Sequence, residues 1–180
     1  MKIGIIGAGT LAAFIVDIIR RLPGFDVLGQ FDERYPEITL SNGVPVLGKV
    51  EDVKPGTPIA LGIGSPAARK VIYERKRLGG FVFPSIIDPS CVISGSASIG
   101  DGVIIGPFST VLAGSVVHNG ACLLSHVNVN QNVSIGAFSL IGAGALIGNG
   151  AFIGTGAHVG LGGRVALGGR VEDWADAGAD

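Results

Sequence analysis

Aliphatic side chains recur at every sixth position along the second half of this chain: Ile87, Ile93, Ile99, Ile105, Val111, Val117, Leu123, Val129, Ile135, Ile141, Ile147, Ile153, Val159, Val165 and Val171. Four residues after each stands a small residue or valine: Cys91, Ala97, Val103, Ser109, Ser115, Ala121, Val127, Val133, Ser139, Ala145, Ala151, Ala157, Gly163, Gly169 and Ala175. An amphipathic helix would repeat near 3.6 residues and an ordinary strand at 2. A period of six with one large and one small apolar slot fits neither. It fits a triangular coil, in which each hexad makes one short strand and one corner and stacked coils bury a continuous core. Glycine follows the aliphatic residue at Gly100, Gly106, Gly136, Gly142, Gly148, Gly154 and Gly160, and the expectation is that these glycines supply corner backbone angles other residues resist. The pattern therefore predicts a left-handed parallel β-helix over residues 86–180, about five coils of three hexads each.

Before residue 86 the pattern changes. Lys2–Ile6 reads as a buried strand. Gly7-Ala8-Gly9-Thr10-Leu11-Ala12 follows, in the G-x-G-x-x-A form. Leu11, Phe14, Ile15, Ile18, Ile19 and Leu22 then keep helical spacing up to Pro23-Gly24. Val27–Phe31 reads as a second strand ending in Asp32-Glu33. Ile59–Ile63 reads as a third, and Gly64-Ser65-Pro66 opens a second helix through about Leu78. Phe81–Phe83 could be a short fourth strand. The expected fold class is thus α/β plus all-β, a small Rossmann-like β-α-β domain over residues 1–85 followed by the β-helix.

In such a domain, glycines between strand and helix let the backbone approach a phosphate, and the helix N-terminus supplies N–H donors. An acid about 20 residues on, here Asp32 or Glu33, can accept from a ribose hydroxyl. The alternatives are a purely structural turn and a solvated strand end. A dehydrogenase fits poorly, because no substrate domain follows to place a hydride acceptor.

Composition narrows the partners. The formal net charge is −1 over 180 residues, which argues against nucleic acid or an anionic membrane surface. There is no uninterrupted apolar run long enough to span a membrane, and no signal-peptide cleavage site follows the N-terminus. Two cysteines, Cys91 and Cys122, are too few for a disulfide framework and point to a reducing cytoplasm. Of the 31 glycines, 19 fall from Gly95 onward, within the repeat.

The hexads resemble those of the hexapeptide-repeat acyltransferases. Gly7-Ala8-Gly9, Phe31-Asp32-Glu33, Gly43-Val44-Pro45-Val46-Leu47-Gly48, Ile59-Ala60-Leu61-Gly62-Ile63-Gly64 and Phe83-Pro84-Ser85-Ile86-Ile87-Asp88-Pro89-Ser90 look like the sialic-acid and bacillosamine type of sugar O-/N-acetyltransferase. That resemblance spans nearly the whole chain. It implies a nucleotide-linked sugar bound in part by Gly7, Ala8, Gly9, Thr10, Asp32, Glu33, Ile63 and Gly64, acetyl-CoA as co-substrate on the β-helix, and a homotrimer. Where the family usually carries Gly-His, this chain has Thr10-Leu11.

The repeat breaks in one window. Leu112, His118, Leu124 and Asn130 replace the glycine in four successive hexads, and the same stretch holds Asn119, Ser125, His126, Asn128, Gln131 and Asn132. Acyl transfer from a thioester needs a base for the attacking group and donors for the oxyanion. Histidine titrates nearest neutrality. Family likeness favours His126 as that base with Asn119 seven residues before it, ahead of His118 and His158. Where the family usually has an acid after the histidine, Val127 stands in an inward slot. Alignment by hexad phase instead puts Gln131, which cannot act as a base, at the catalytic position, leaving a non-catalytic nucleotide-sugar-binding β-helix as the alternative. Gly144 and Gly162 lie where a pantetheine arm could approach the backbone, and Arg164, with Arg170, could meet coenzyme A phosphates. The acidic end, Glu172 to Asp180, would repel a 3′-phosphate. No metal is expected, since the histidines lack a ligand spacing.

Overall fold

The computed structural model describes residues 1–178. It forms two compact units, Met1–Ile86 and a second beginning at Ile87.

The first unit is a five-stranded sheet. Its strands are β1 (Lys2–Ile6), β2 (Asp26–Phe31), β3 (Leu40–Ser41), β4 (Val44–Gly48) and β5 (Ile59–Leu61), in spatial order β3-β4-β2-β1-β5. β2 and β5 run parallel to β1, and β4 runs parallel to β2. β3 is the antiparallel edge. Helix α1 (Thr10–Ile19) leaves the end of β1 and buries Ala12, Ile15, Val16, Ile18 and Ile19. Helix α2 (Pro66–Leu78) starts on a sequence that dictates a start: the Ser65 side chain accepts from Ala68 N–H, Pro66 follows, and Arg75, Lys76 and Arg77 face the negative helix end.

Three details differ from the sequence reading. α1 ends at Ile19, because Arg20–Leu22 turn through single i→i−3 bonds, Arg21 N–H to Ile18 and Leu22 N–H to Ile19. Phe81–Phe83 is no strand. Ile59 N–H donates to the Val82 carbonyl at 3.0 Å without a strand pairing there. The fourth parallel strand is instead Val44–Gly48, whose alternating burial was hidden by the proline and glycines around it.

The second unit is the β-helix. Two-residue strands run from Ile86–Ile87, Val92–Ile93 and Ser98–Ile99 at six-residue steps to Asp176–Ala177, sixteen among the described residues. They stack into three parallel sheets, one of six strands and two of five. Register partners lie one coil apart, as Thr110 with Asn128 and Val111 with Val129. The second residue of each strand points inward, and Val111 to Val159 at these positions are buried to within 1 % exposure. The small slot carries Ser109, Ser115 and Ser139, fully buried. Ser109 and Ser115 donate to the carbonyls of Leu124 and Asn130.

The repeated glycines act differently from expectation. Positive φ does not fall on the residue after the aliphatic one. It falls two residues later, at Gly102, Phe108, Gly114, Gly120, His126, Asn132, Phe138, Gly144, Gly150, Gly156, Gly162, Gly168 and Trp174. The glycine that follows the aliphatic residue is needed for close approach instead. A Cβ on Gly136 would sit 2.4 Å from the Gly154 carbonyl carbon, and one on Gly142 would sit 2.5 Å from that of Gly160. Hence the loss of glycine at Leu112, His118, Leu124 and Asn130 leaves the corner angles in step. What changes there is the side chains carried at the corner, while the bonds between coils keep their length, as Leu112 N–H to Val129 at 3.0 Å and Leu124 N–H to Ile141 at 2.9 Å.

Candidate functional site

In the first unit, the turn from β1 to α1 is held from three sides. Gly7 takes φ +104, and a Cβ there would meet the Gly62 carbonyl oxygen at 2.6 Å. Gly7 N–H donates to the Phe31 carbonyl at 2.8 Å. Ala8 N–H donates to Asp32 Oδ2 at 2.9 Å, and Ser41 Oγ donates to the Ala8 carbonyl at 2.9 Å. The predicted residues Gly7, Ala8, Gly9, Thr10 and Asp32 are therefore drawn together at the carboxyl ends of the parallel strands, where an open α/β sheet takes its ligand.

Asp32 is bonded into that frame. Arg34 donates to it from its main-chain N–H at 3.0 Å, from Nε at 2.8 Å and from Nη2 at 3.0 Å. With Ala8, four donors meet a carboxylate that has about four lone-pair sites. The Arg34 side-chain bonds hold the Asp32 carboxyl below its usual range against the opposing effect of burial. Glu33 is exposed. Ile63 and Gly64 lie just past β5, and Arg69, only 1 % exposed, donates from Nη1 to their carbonyls at 2.9 and 2.8 Å. Arg34, Ser41 and Arg69 were not foreseen. An arginine five residues after Gly64 on a capped helix was the only available signal. Lys76 is also buried, which lowers its pKa, with Arg75 adding to the effect.

In the β-helix, His126, Gly144 and Gly162 stand in one corner column, one coil apart, each with positive φ. Phe108 heads that column. Its ring stacks on His126 at 5.1 Å between centroids, inclined 27°, and both are exposed. The main-chain N–H groups of the column are bonded to the coil before: His126 to Pro107, Gly144 to Ser125 and Gly162 to Ala143. Outside Gly162 there is open space, since a Cβ there would meet nothing within 4 Å. Glycines thus leave the main chain bare in the two coils after His126, with its amide donors already engaged.

Asn119 is not in that column. It lies at the preceding corner, with the strand Cys122–Leu123 between it and His126, and its Oδ1 accepts the Asp101 N–H at 2.9 Å. Val127 points inward and is buried, so no acid follows the histidine. Gln131 and His118 are exposed. Arg164 points outward from its strand and is exposed. Arg170 is engaged, with Nε 2.8 Å from Glu172 and its guanidinium 4.0 Å above the Phe152 ring. His158 alone among the histidines has a carboxylate partner among the described residues, Asp176 at 3.1 Å. No three His, Cys, Asp or Glu side chains among the described residues converge as a metal set would, and no described helix is long and apolar enough to cross a membrane.

Comparison with known proteins matches both units. Residues 2–76 match the PglD N-terminal domain family. The chain is similar to PerB from Caulobacter crescentus, solved in complex with CoA and GDP-perosamine. Identity is 26 %, the match covers 99 % of this chain and 86 % of that one, and the TM-score is 0.91. The acetyltransferase domain of PglB from Neisseria gonorrhoeae, solved with acetyl coenzyme A, matches at 25 % identity over 98 % of this chain and 92 % of that one, with TM-score 0.83. A stretch of 51 residues is 47 % identical to the acyl-[acyl-carrier-protein]–UDP-N-acetylglucosamine O-acyltransferase of Mesorhizobium japonicum, covering 28 % of this chain and only 18 % of that protein's length. The expected resemblance to hexapeptide-repeat sugar acetyltransferases holds across the described chain.

Proposed function

We infer that this chain, a relative of the sugar acetyltransferases in both its α/β unit and its β-helix, is an acyltransferase. It moves an acetyl group from acetyl-CoA to an amine or hydroxyl of a nucleotide-linked sugar. One observation carries the reading: the match along 99 % of the chain, at TM-score 0.91, to an enzyme solved with CoA and GDP-perosamine. In this reading residues 1–85 hold the nucleotide through the turn framed by Gly7, Ala8, Gly9 and Thr10, beside Ile63 and Gly64. Residues 86–180 hold the coenzyme, with Gly144 and Gly162 as the slot for its arm and Arg164 toward its phosphates. The active form is a homotrimer in the cytoplasm, serving polysaccharide biosynthesis.

The sequence assignment of the base is His126, with Asn119 as its companion. Stacking on Phe108 supports it by holding the ring in one plane. His126→Ala tests it: turnover should drop about 100-fold or more, as for loss of a general base, while acetyl-CoA still binds.

The activity itself is tested without guessing the acceptor, by calorimetry of acetyl-CoA against the purified chain. Saturable binding at about one site per protomer, followed by acetylation of a GDP- or UDP-linked amino sugar, is expected. Absence of binding at millimolar coenzyme favours the second reading, a non-catalytic nucleotide-sugar-binding protein. That reading draws on the lack of any acid beside His126 and on Gln131 in the hexad phase.

A further inference from the structure

A groove runs along one outer face of the β-helix. Its walls are Leu124, Leu140 and Leu161, its floor is Gly142, Gly160 and Gly178, and His158 and Asp176 stand in it. The floor is main chain by necessity, because a Cβ on Gly142 would run into the backbone of Gly160 at 2.5 Å. Leu161 is 68 % exposed. The groove therefore pairs aliphatic walls open to solvent with a polar pair.

That pair is set by the fold. His158 and Asp176 are register partners on adjacent parallel strands. Val159, the next residue, is buried in the core, so the His158 side chain points outward. His158 Nδ1 lies 3.1 Å from Asp176 Oδ1. With its proton on Nδ1 and donated to the carboxylate, the ring presents the Nε2 lone pair outward. His126 has no such partner.

We propose that His158, oriented by Asp176, is a base for acyl transfer in this chain, and that the leucine-walled groove receives the acyl thioester arm. The inference rests on the acyltransferase reading and differs from it in where the proton goes. The acceptor amine attacks the thioester carbonyl carbon, so an N–C bond forms. Its proton passes to His158 Nε2. The C–S bond breaks and the leaving thiolate takes that proton back, giving the amide and the free thiol of coenzyme A. Asp176 is a positioning residue and touches neither substrate.

The test uses the full chain with acetyl-CoA and a GDP- or UDP-linked amino sugar. His158→Ala is expected to lose turnover by about 100-fold or more, to bind acetyl-CoA as the native chain does, and to regain turnover when imidazole is added. Asp176→Asn should lower kcat about tenfold or more with KM for acetyl-CoA unchanged. Full turnover in His158→Ala overturns the proposal and leaves the acyltransferase reading standing. So does lost turnover that imidazole does not restore. A native chain that binds acetyl-CoA but acetylates no amino sugar overturns both.

Discussion

The Ala8 N–H and the Asp32 carboxylate are joined at 2.9 Å across 24 residues of sequence. This bond ties the tip of the glycine turn to the end of the neighbouring strand, and Arg34 grips the same carboxylate. Replacing Asp32 by Ala leaves the turn N–H and a guanidinium without their acceptor. Stability should fall by about 2 kcal/mol, read as the shift in a urea denaturation midpoint.

The same carboxylate carries a pH signature. Its folded pKa is lowered, chiefly by the Arg34 bond. Its contribution is therefore fully present above the unfolded value, about 4, and is lost as pH falls through the lower folded value. The thermal midpoints of the native chain and Asp32→Asn should differ at neutral pH and converge in acid below about pH 4. A gap that persists unchanged in that range would assign the stability to another group.

Two glycines separate close approach from backbone angle. Gly136→Ala drives a methyl into the Gly154 backbone, a contact of 2.4 Å with no flexible partner to yield, and should cost about 3 kcal/mol or more. Gly150 has φ +67 with open space around it, so Gly150→Ala should cost about 1–2 kcal/mol. Chemical denaturation of the two variants gives the order directly.

Asn119→Ala removes the acceptor for the Asp101 N–H. A loss of about 1 kcal/mol is expected. Comparing kcat at a temperature well below the unfolding midpoint then tells whether Asn119 also serves the chemistry.

Arg69→Met keeps the buried bulk of the side chain but leaves the Ile63 and Gly64 carbonyls without these donors. About 3 kcal/mol of stability should be lost, together with affinity for the nucleotide-linked sugar, measured by calorimetry.

The sequence by itself determined the β-helix, because a six-residue period with a large and a small apolar slot has one way to be buried. Ile87 to Val171 keep that period without a break, and their inward direction follows from it. It also showed the strand–glycine turn–helix at Gly7-Ala8-Gly9, since that chemistry is local. Tertiary structure decided the rest, because contacts between coils and between distant strands have no local signature. Only stacking shows that Gly136 is required by Gly154, that positive φ falls on His126 rather than Leu124, and that Asn119 and His126 lie at different corners. The His158–Asp176 pair is invisible as a spacing of eighteen until the coil length is known. Asp32 reads as an acid at a strand end in sequence, and only the fold shows that Arg34 and Ala8 both bond to it.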